Sequence, residues 1–125
     1  MRTKFGWSRY IVENPNVRSI QNWMAQSHGA EMMRAAAIAA TEVGLSICCP
    51  IHDAFLLESA SESFEADVAV LRAIMRAAGA AVIGVPVETD LKTIMSPGRY
   101  VDDRAAEMWV KVMALLKAAE EKAAA

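Results

Sequence analysis

The sequence predicts an α+β fold with a mainly antiparallel sheet. Three observations predict it. Helix-forming residues dominate two long stretches, from about Ser19 to Val43 and from Ser59 to Ala78. Between them, apolar residues recur at period two on either side of the dipeptide His52-Asp53. A further period-two run follows at Val85 to Ile94. The order short hairpin, helix, β-hairpin, helix, strand, helix is an α+β pattern.

Taken in order, residues 3–12 (TKFGWSRYIV) are aromatic and β-branched around a glycine, which suits a short hairpin or strand. The turn residues Glu13-Asn14-Pro15-Asn16 precede the first helix, and Gly44 suits its C-terminal end. The interior WMAQSHGAEMM contains Gly29, so two helical pieces are expected here, with Ser27 capping the second. Leu45, Ile47, Cys49 and Ile51 alternate with Ser46, Cys48 and Pro50, while Phe55 and Leu57 alternate with Ala54, Leu56 and Glu58. That alternation reads as two strands with His52 and Asp53 at the tip between them. Ser59 and Glu62 form an S-x-x-E capping box. Behind it, Phe64, Val68, Leu71, Met75 and Ala78 form the apolar stripe of a helix expected to pack on the sheet. Ser96-Pro97-Gly98 closes the third strand, Val85 to Ile94. From Asp102 a last amphipathic helix runs through Met108, Val112 and Leu115, with Glu107 and Lys111 spaced for an i,i+4 pair and an Ala-rich tail expected to fray.

At 125 residues the chain is expected to form one domain around one core, and 54% hydrophobic with 22% charged residues places it among globular rather than disordered chains. A formal charge of −2 provides no overall basic field, so any nucleic-acid contact has to be local. Cys48 and Cys49 are the only cysteines. Being adjacent they are poorly placed for an ordinary disulfide, and they read as strand thiols, one buried and one partly buried. A reduced, cytoplasmic setting is expected. The N-terminal MRTKFGWSRY carries charge without an apolar core of the signal-peptide kind, and AAGAAVIGVPV is too short to span a bilayer, so no membrane partner is expected. Met24, Met32, Met33 and Met75 read as flexible core filling. His28 and Glu31 are expected to face water.

Two constellations carry chemistry. A hairpin tip holds consecutive side chains at the solvent edge of a sheet, where the Asp53 carboxylate can meet a metal ion and its anionic ligand, although turns are polar for purely structural reasons as well. An HD phosphohydrolase would need further His and Asp ligands on helices, whereas the other histidine is His28 and this dyad lies between strands. Secondly, Arg18, Asn22 and Gln26 recur at i, i+4 and i+8, confining one guanidinium and two amides to one narrow helix face. A solvated face commonly carries Lys and Glu, whereas amides beside an arginine suit hydrogen bonding at a groove edge.

In this order, TKFGWSRYI, RSIQNWMAQSHGAEMMR, PIHDAFLLE and VPVETDLK resemble the C-terminal part of the palm of family A DNA polymerases, the bacterial polymerase I type, over about residues 3–101. The third segment resembles that family's palm motif C, in which a His-Asp-Glu sits at a hairpin tip. The second resembles its Arg, Asn and Gln run. The resemblance implies residues 1–101 as a C-terminal palm portion and 102–125 as a C-terminal helix and tail. It implies Asp53 as the catalytic metal ligand, Mg2+ as cofactor, and Arg18, Asn22, Gln26 and His52 as DNA-binding residues. The implied activity is template-directed nucleotidyl transfer from a deoxynucleoside triphosphate to a primer 3'-OH, by a two-metal route in DNA replication or repair. The alternative is a non-enzymatic α+β remnant or binding module derived from such a palm. Ala54 stands where the family commonly has Glu, and Met24 replaces a Pro usual between the Asn and Gln positions. The resemblance begins just after the family's fingers segment and includes neither the upstream Asp-bearing strand nor the helix that holds the triphosphate. The chain alone is therefore expected to be inactive, with the remaining palm, fingers and thumb supplied by upstream sequence or a partner chain. The missing strand would lie between the hairpin and Val85 to Ile94.

Overall fold

A computed structural model describes residues 1–100 and 105–123. The chain divides into two compact units, Met1–Asp90 and Leu91–Ala125. The first is a small α+β fold: helix α1 (Val17–Glu42), strands β1 (Ser46–Ile51) and β2 (Ala54–Glu58), and helix α2 (Phe64–Ile83). The second contains helix α3 (Ala106–Ala123). The expected start of this last helix at Asp102, and the expected boundary at 101/102, lie outside the described residues.

Helix α1 is one continuous helix of 26 residues rather than two pieces. Asn16 caps it, its side-chain oxygen accepting the Ser19 N–H at 3.2 Å. Ser27 caps nothing. It is buried mid-helix and donates to the Met24 carbonyl at 3.2 Å, the back-bonding open to a helical serine. Gly29 does not break the helix because its cost of about 1 kcal/mol relative to Ala is small beside the tertiary contacts of a long helix. At the other end, Gly44 N–H bonds the Thr41 carbonyl and Leu45 N–H the Ala40 carbonyl, both at 3.0 Å, a Schellman closure that needs the left-handed conformation Gly44 adopts at φ +82°.

The buried positions of α1 explain why its sequence shows no single apolar stripe. Ser27 and Glu31 are buried around its middle, Ala36 and Ala40 nearer its C-terminal end. At about 100° per residue these two pairs point to opposite sides of the helix. Against the first pair lies the N-terminal segment, where the expected short hairpin is reduced to one antiparallel Arg2–Ser8 bridge around a tight turn, over residues 1–9 rather than 3–12. Its Thr3 hydroxyl donates to Glu31 Oε1, Trp7 stacks under the Arg34 guanidinium at 5.6 Å, and Arg9 bonds both the Ser19 carbonyl and hydroxyl at 2.9 Å. Lys4 reaches across to the Ala81 carbonyl in the last turn of α2 at 2.6 Å, where a cation suits the helix dipole. Glu31 therefore does not face water: it is fully buried. His28 is half-buried with Nδ1 2.7 Å from the Met24 carbonyl.

Helix α2 buries the face its sequence spacing marks. Leu71 and Ala78 are buried and Phe64, Val68 and Met75 half-buried, with Val82 continuing the row. Its main partner is α1, not the sheet. The Ser59–Glu62 capping box does not form. Ser63 is the N-cap residue, and the hydroxyls of Ser59 and Ser63 both donate to the Asp67 carboxylate in the first turn. Met24, Met32, Met33 and Met75 are all half-buried, as gap-filling residues should be.

Strands β1 and β2 pair antiparallel, from Ser46 opposite Glu58 to Ile51 opposite Ala54. A bulge falls between Ile47 and Cys49, so the period-two reading of β1 fails beyond Ile47. Ile47, Phe55 and Leu57 are half-buried, whereas Cys49 and Ile51 are exposed. The third expected strand, Val85 to Ile94, is absent among the described residues, because no neighbouring strand offers it a ladder. Residues 85–90 lie along α2 instead. Arg72 bonds the Thr89 carbonyl at 2.9 Å and hydroxyl at 3.2 Å, and Arg76 pairs with Glu88. In the second unit, Gly98 N–H bonds the Met95 carbonyl to close the expected Ser96-Pro97-Gly98 turn, and α3 buries no residue. No described helix is long and apolar enough to cross a membrane.

Two helical glycines give predictions of opposite sign. A Cβ at Gly79 would stand 2.6 Å from Val87 Cγ2 and 3.0 Å from its backbone nitrogen, and the β-branched Val87 has little rotamer freedom with which to yield. Gly79→Ala should therefore destabilise by about 1–3 kcal/mol, and Val87→Ala in the same chain should recover part of that loss. A Cβ at Gly29 meets nothing within 4 Å, so Gly29→Ala should stabilise by up to about 1 kcal/mol. Urea denaturation of the variants checks the signs.

Candidate functional site

The hairpin tip is a two-residue turn. Ile51 and Ala54 are the last paired residues, leaving His52 and Asp53 as the loop. His52 has φ +54° and is the one non-glycine residue in the left-handed region among the described residues. A positive φ within a two-residue loop is the feature of the primed turns, whose twist matches that of the flanking strands. Glycine is the residue that such a position ordinarily takes, and a side chain there costs roughly 1–2 kcal/mol. Tight pairing on both sides holds His52 in that conformation and projects it, with Asp53, from the end of the sheet. Both are exposed, and neither makes a hydrogen bond or ion pair among the described residues.

Arg18, Asn22 and Gln26 are all exposed on α1. They lie on one side of the helix, roughly opposite to Ser27 and Glu31 and in line with Ala36 and Ala40. The N-terminal segment covers the other side, through Thr3 and Trp7, and leaves this row open. None of the three side chains has a partner among the described residues, so five guanidinium donors and two amides stand ready for an external acceptor. The azimuth that is buried at Ala36 and Ala40 thus becomes, from about three turns nearer the N-terminus, an exposed polar strip. The structure sets Arg18, Asn22 and Gln26 together on α1 and His52 with Asp53 on the hairpin.

Mg2+ takes six oxygen ligands in an octahedron and keeps several waters, and a pair of such ions is held by at least two carboxylates. Asp53 is the single carboxylate at the tip, and Ala54 beside it offers none. Among the described residues no three of His, Cys, Asp and Glu are grouped to hold a metal ion. Among the described residues Asp53 can therefore supply one ligand of such a site, with the further carboxylates coming from elsewhere.

Sequence spacing did not reveal two further groups. Glu31 is buried with Oε2 unpartnered among the described residues, beneath the N-terminal segment whose Thr3 donates to its Oε1. Cys48 and Cys49 are both exposed, correcting the expectation of one buried and one partly buried strand thiol. The bulge that turns them outward has no glycine to signal it.

The left-handed tip is testable through stability. His52→Gly should hold or raise stability to urea, by up to about 1 kcal/mol, because glycine carries no Cβ penalty there. His52→Val should lower stability by about 1–2 kcal/mol. Equal effects of the two substitutions would remove the left-handed assignment. No protein-family model, no curated protein and no solved structure matches the chain.

Proposed function

We propose that this chain is the C-terminal palm portion of a DNA-directed DNA polymerase of the family A kind. It would act in template-directed nucleotidyl transfer once the remaining palm, fingers and thumb are supplied by upstream sequence or a partner chain. The observation that carries this reading is the hairpin tip: an imidazole and a carboxylate, both exposed and unpartnered, held on a two-residue turn by a backbone conformation that histidine adopts at a cost. A ligand carboxylate on a rigid exposed tip can enter a composite site, because its position is set by the strand pairing behind it and not by its own contacts.

The lengths of the elements support a joint role for tip and helix face. From Gln26 to Glu42 is about 24 Å of helix at roughly 1.5 Å per residue. From Leu45 to His52 is roughly 23 Å of strand at about 3.3 Å per residue. Gly44 lies between them and β1 contacts α1, and a strand folded back along the helix would bring the tip level with Gln26. In that arrangement Arg18, Asn22 and Gln26 hydrogen-bond minor-groove acceptors of the primer-template, and His52 approaches the primer end. The minor-groove acceptors of correct pairs lie in similar places, so amide and guanidinium donors can test pair geometry without reading sequence. Asp53 contributes one ligand to the Mg2+ that the resemblance implies. The incoming triphosphate falls to the fingers, and with a formal charge of −2 most phosphate affinity falls to other segments.

One observation favours a second reading, a non-enzymatic remnant or binding module. The sheet has two strands, and the lone carboxylate has no companion among the described residues. Supplying the upstream palm strand and fingers as a separate polypeptide discriminates the two: primer extension appears for a polymerase portion and stays absent for a remnant.

In a polymerase completed around this segment, Asp53→Asn should lower turnover by about 10³-fold or more with little change in DNA affinity, since the amide keeps the shape and loses the charge. Retention of more than about a tenth of the activity, a barrier change below roughly 1.4 kcal/mol, would end the assignment of Asp53. Arg18→Ala and Gln26→Ala should slow extension of mispaired ends by a different factor from matched ends, which single-turnover kinetics resolves. Identical behaviour on every primer would return the row to a solvated helix face.

A further inference from the structure

The two cysteines lie next to each other in a strand, and adjacent residues of a regular strand point to opposite faces of the sheet. Here they do not. Ser46 pairs with Glu58 and Ile47 with Leu57, whereas beyond the bulge Cys49 pairs with Leu56. Residues paired directly across an antiparallel ladder share a face, and so do residues two apart on one strand. Cys49 therefore lies on the face of Leu56 and Glu58. Cys48 lies on that face too, next after Ile47 in alternation, and its Sγ is 3.9 Å from Glu58 Oε2. The bulge thus turns both thiols to one side, and both are exposed. The opposite side, with Ile47, Phe55 and Leu57, is the half-buried one.

Their adjacency decides what such a pair can bind. Neighbouring Cα atoms are about 3.8 Å apart, short of the roughly 4.4–6.8 Å that an ordinary disulfide spans, so direct oxidation to a disulfide is strained. A single atom inserted between the sulfurs enlarges the ring and relieves that strain. Thiolates are soft ligands and prefer soft, polarisable acceptors. Among the described residues Glu58 is the carboxylate set against the pair, and no three-residue group is present there from which a tetrahedral four-ligand zinc site could be built.

We propose that Cys48 and Cys49 form a vicinal dithiol site for a thiophilic trivalent metalloid, captured as a cyclic dithioarsinite or its antimony analogue. With a monosubstituted arsenic oxide the balance is simple. Two S–As bonds form and the As=O bond breaks. The oxygen leaves as water carrying both thiol protons, and no electrons are transferred. The site shares the hairpin with the His52-Asp53 tip and does not depend on the function proposed for it.

Phenylarsine oxide added to the full chain tests this. Intact mass should show one phenylarsenic group per chain, thiol titration should lose both cysteines together, and the adduct should be removed by 1,2-ethanedithiol while resisting a large excess of 2-mercaptoethanol. Cys48→Ser and Cys49→Ser should each weaken capture roughly hundredfold or more, because the second attachment is intramolecular. The bulge supplies a stricter control. The double variant Cys49→Ser with Pro50→Cys keeps two thiols two residues apart, yet position 50 pairs with Phe55 and so lies on the opposite face from Cys48. It should bind as weakly as the single-thiol variants. Reversal of the parent adduct by 2-mercaptoethanol, equal capture by either serine variant, or tight capture by the 48/50 pair would each overturn the proposal.

Discussion

The close packing of α1 on α2 is the constraint on which the Met1–Asp90 unit rests, and it depends on small side chains. Apart from Leu71 and Val82, the buried hydrophobic residues are Ala36, Ala40 and Ala78. Small residues let helix backbones approach and gain dispersion contacts, but they remove little apolar area from water, at about 25 cal/mol per Å². The unit therefore relies on polar ties between elements. Lys4 closes on the end of α2, Arg9 on the start of α1, and Arg72 and Arg76 hold the 85–90 segment along α2. Gly79 shows the same constraint locally, since only a residue without Cβ admits Val87 at its observed distance.

Glu31 is the exception to comfortable packing. Its carboxylate is fully buried, Oε1 accepts from Thr3, and Oε2 has no partner among the described residues. An unmade buried hydrogen bond costs about 1–3 kcal/mol. Thr3 Oγ1 also accepts the Trp7 N–H at 2.9 Å, so one hydroxyl links the N-terminal turn to the helix. With Trp7 against Arg34, this fixes the N-terminal segment to one side of α1 and leaves the side of Arg18, Asn22 and Gln26 exposed. The polar strip is available because the chain terminus chose the other face.

Much of the candidate site was legible in the sequence, since it rests on local rules. The i, i+4, i+8 spacing required one helix face, and period-two apolar runs on both sides of His52-Asp53 required a turn there. The positive φ of His52 was not legible. Histidine reaches that conformation only when strand pairing on both sides imposes it. Nor was the outward turn of both thiols, because a bulge without glycine leaves no mark in composition.

By itself the sequence determined the α+β class, the turn before α1 and its end at Gly44, the apolar face of α2 and the hairpin with its two-residue tip. Each of these follows from residues within a few positions of one another, where backbone sterics and side-chain periodicity act without help. Only the tertiary structure decided the rest. Val85 to Ile94 has the alternation of a strand and is not one, because a strand exists only beside a partner that takes its hydrogen bonds. Helix α1 stayed whole across Gly29 because packing outweighs a propensity cost of about 1 kcal/mol. Glu31 went inside because a segment 28 residues away folded over it. In all three cases the deciding partner is distant in sequence, and no local pattern encodes its arrival.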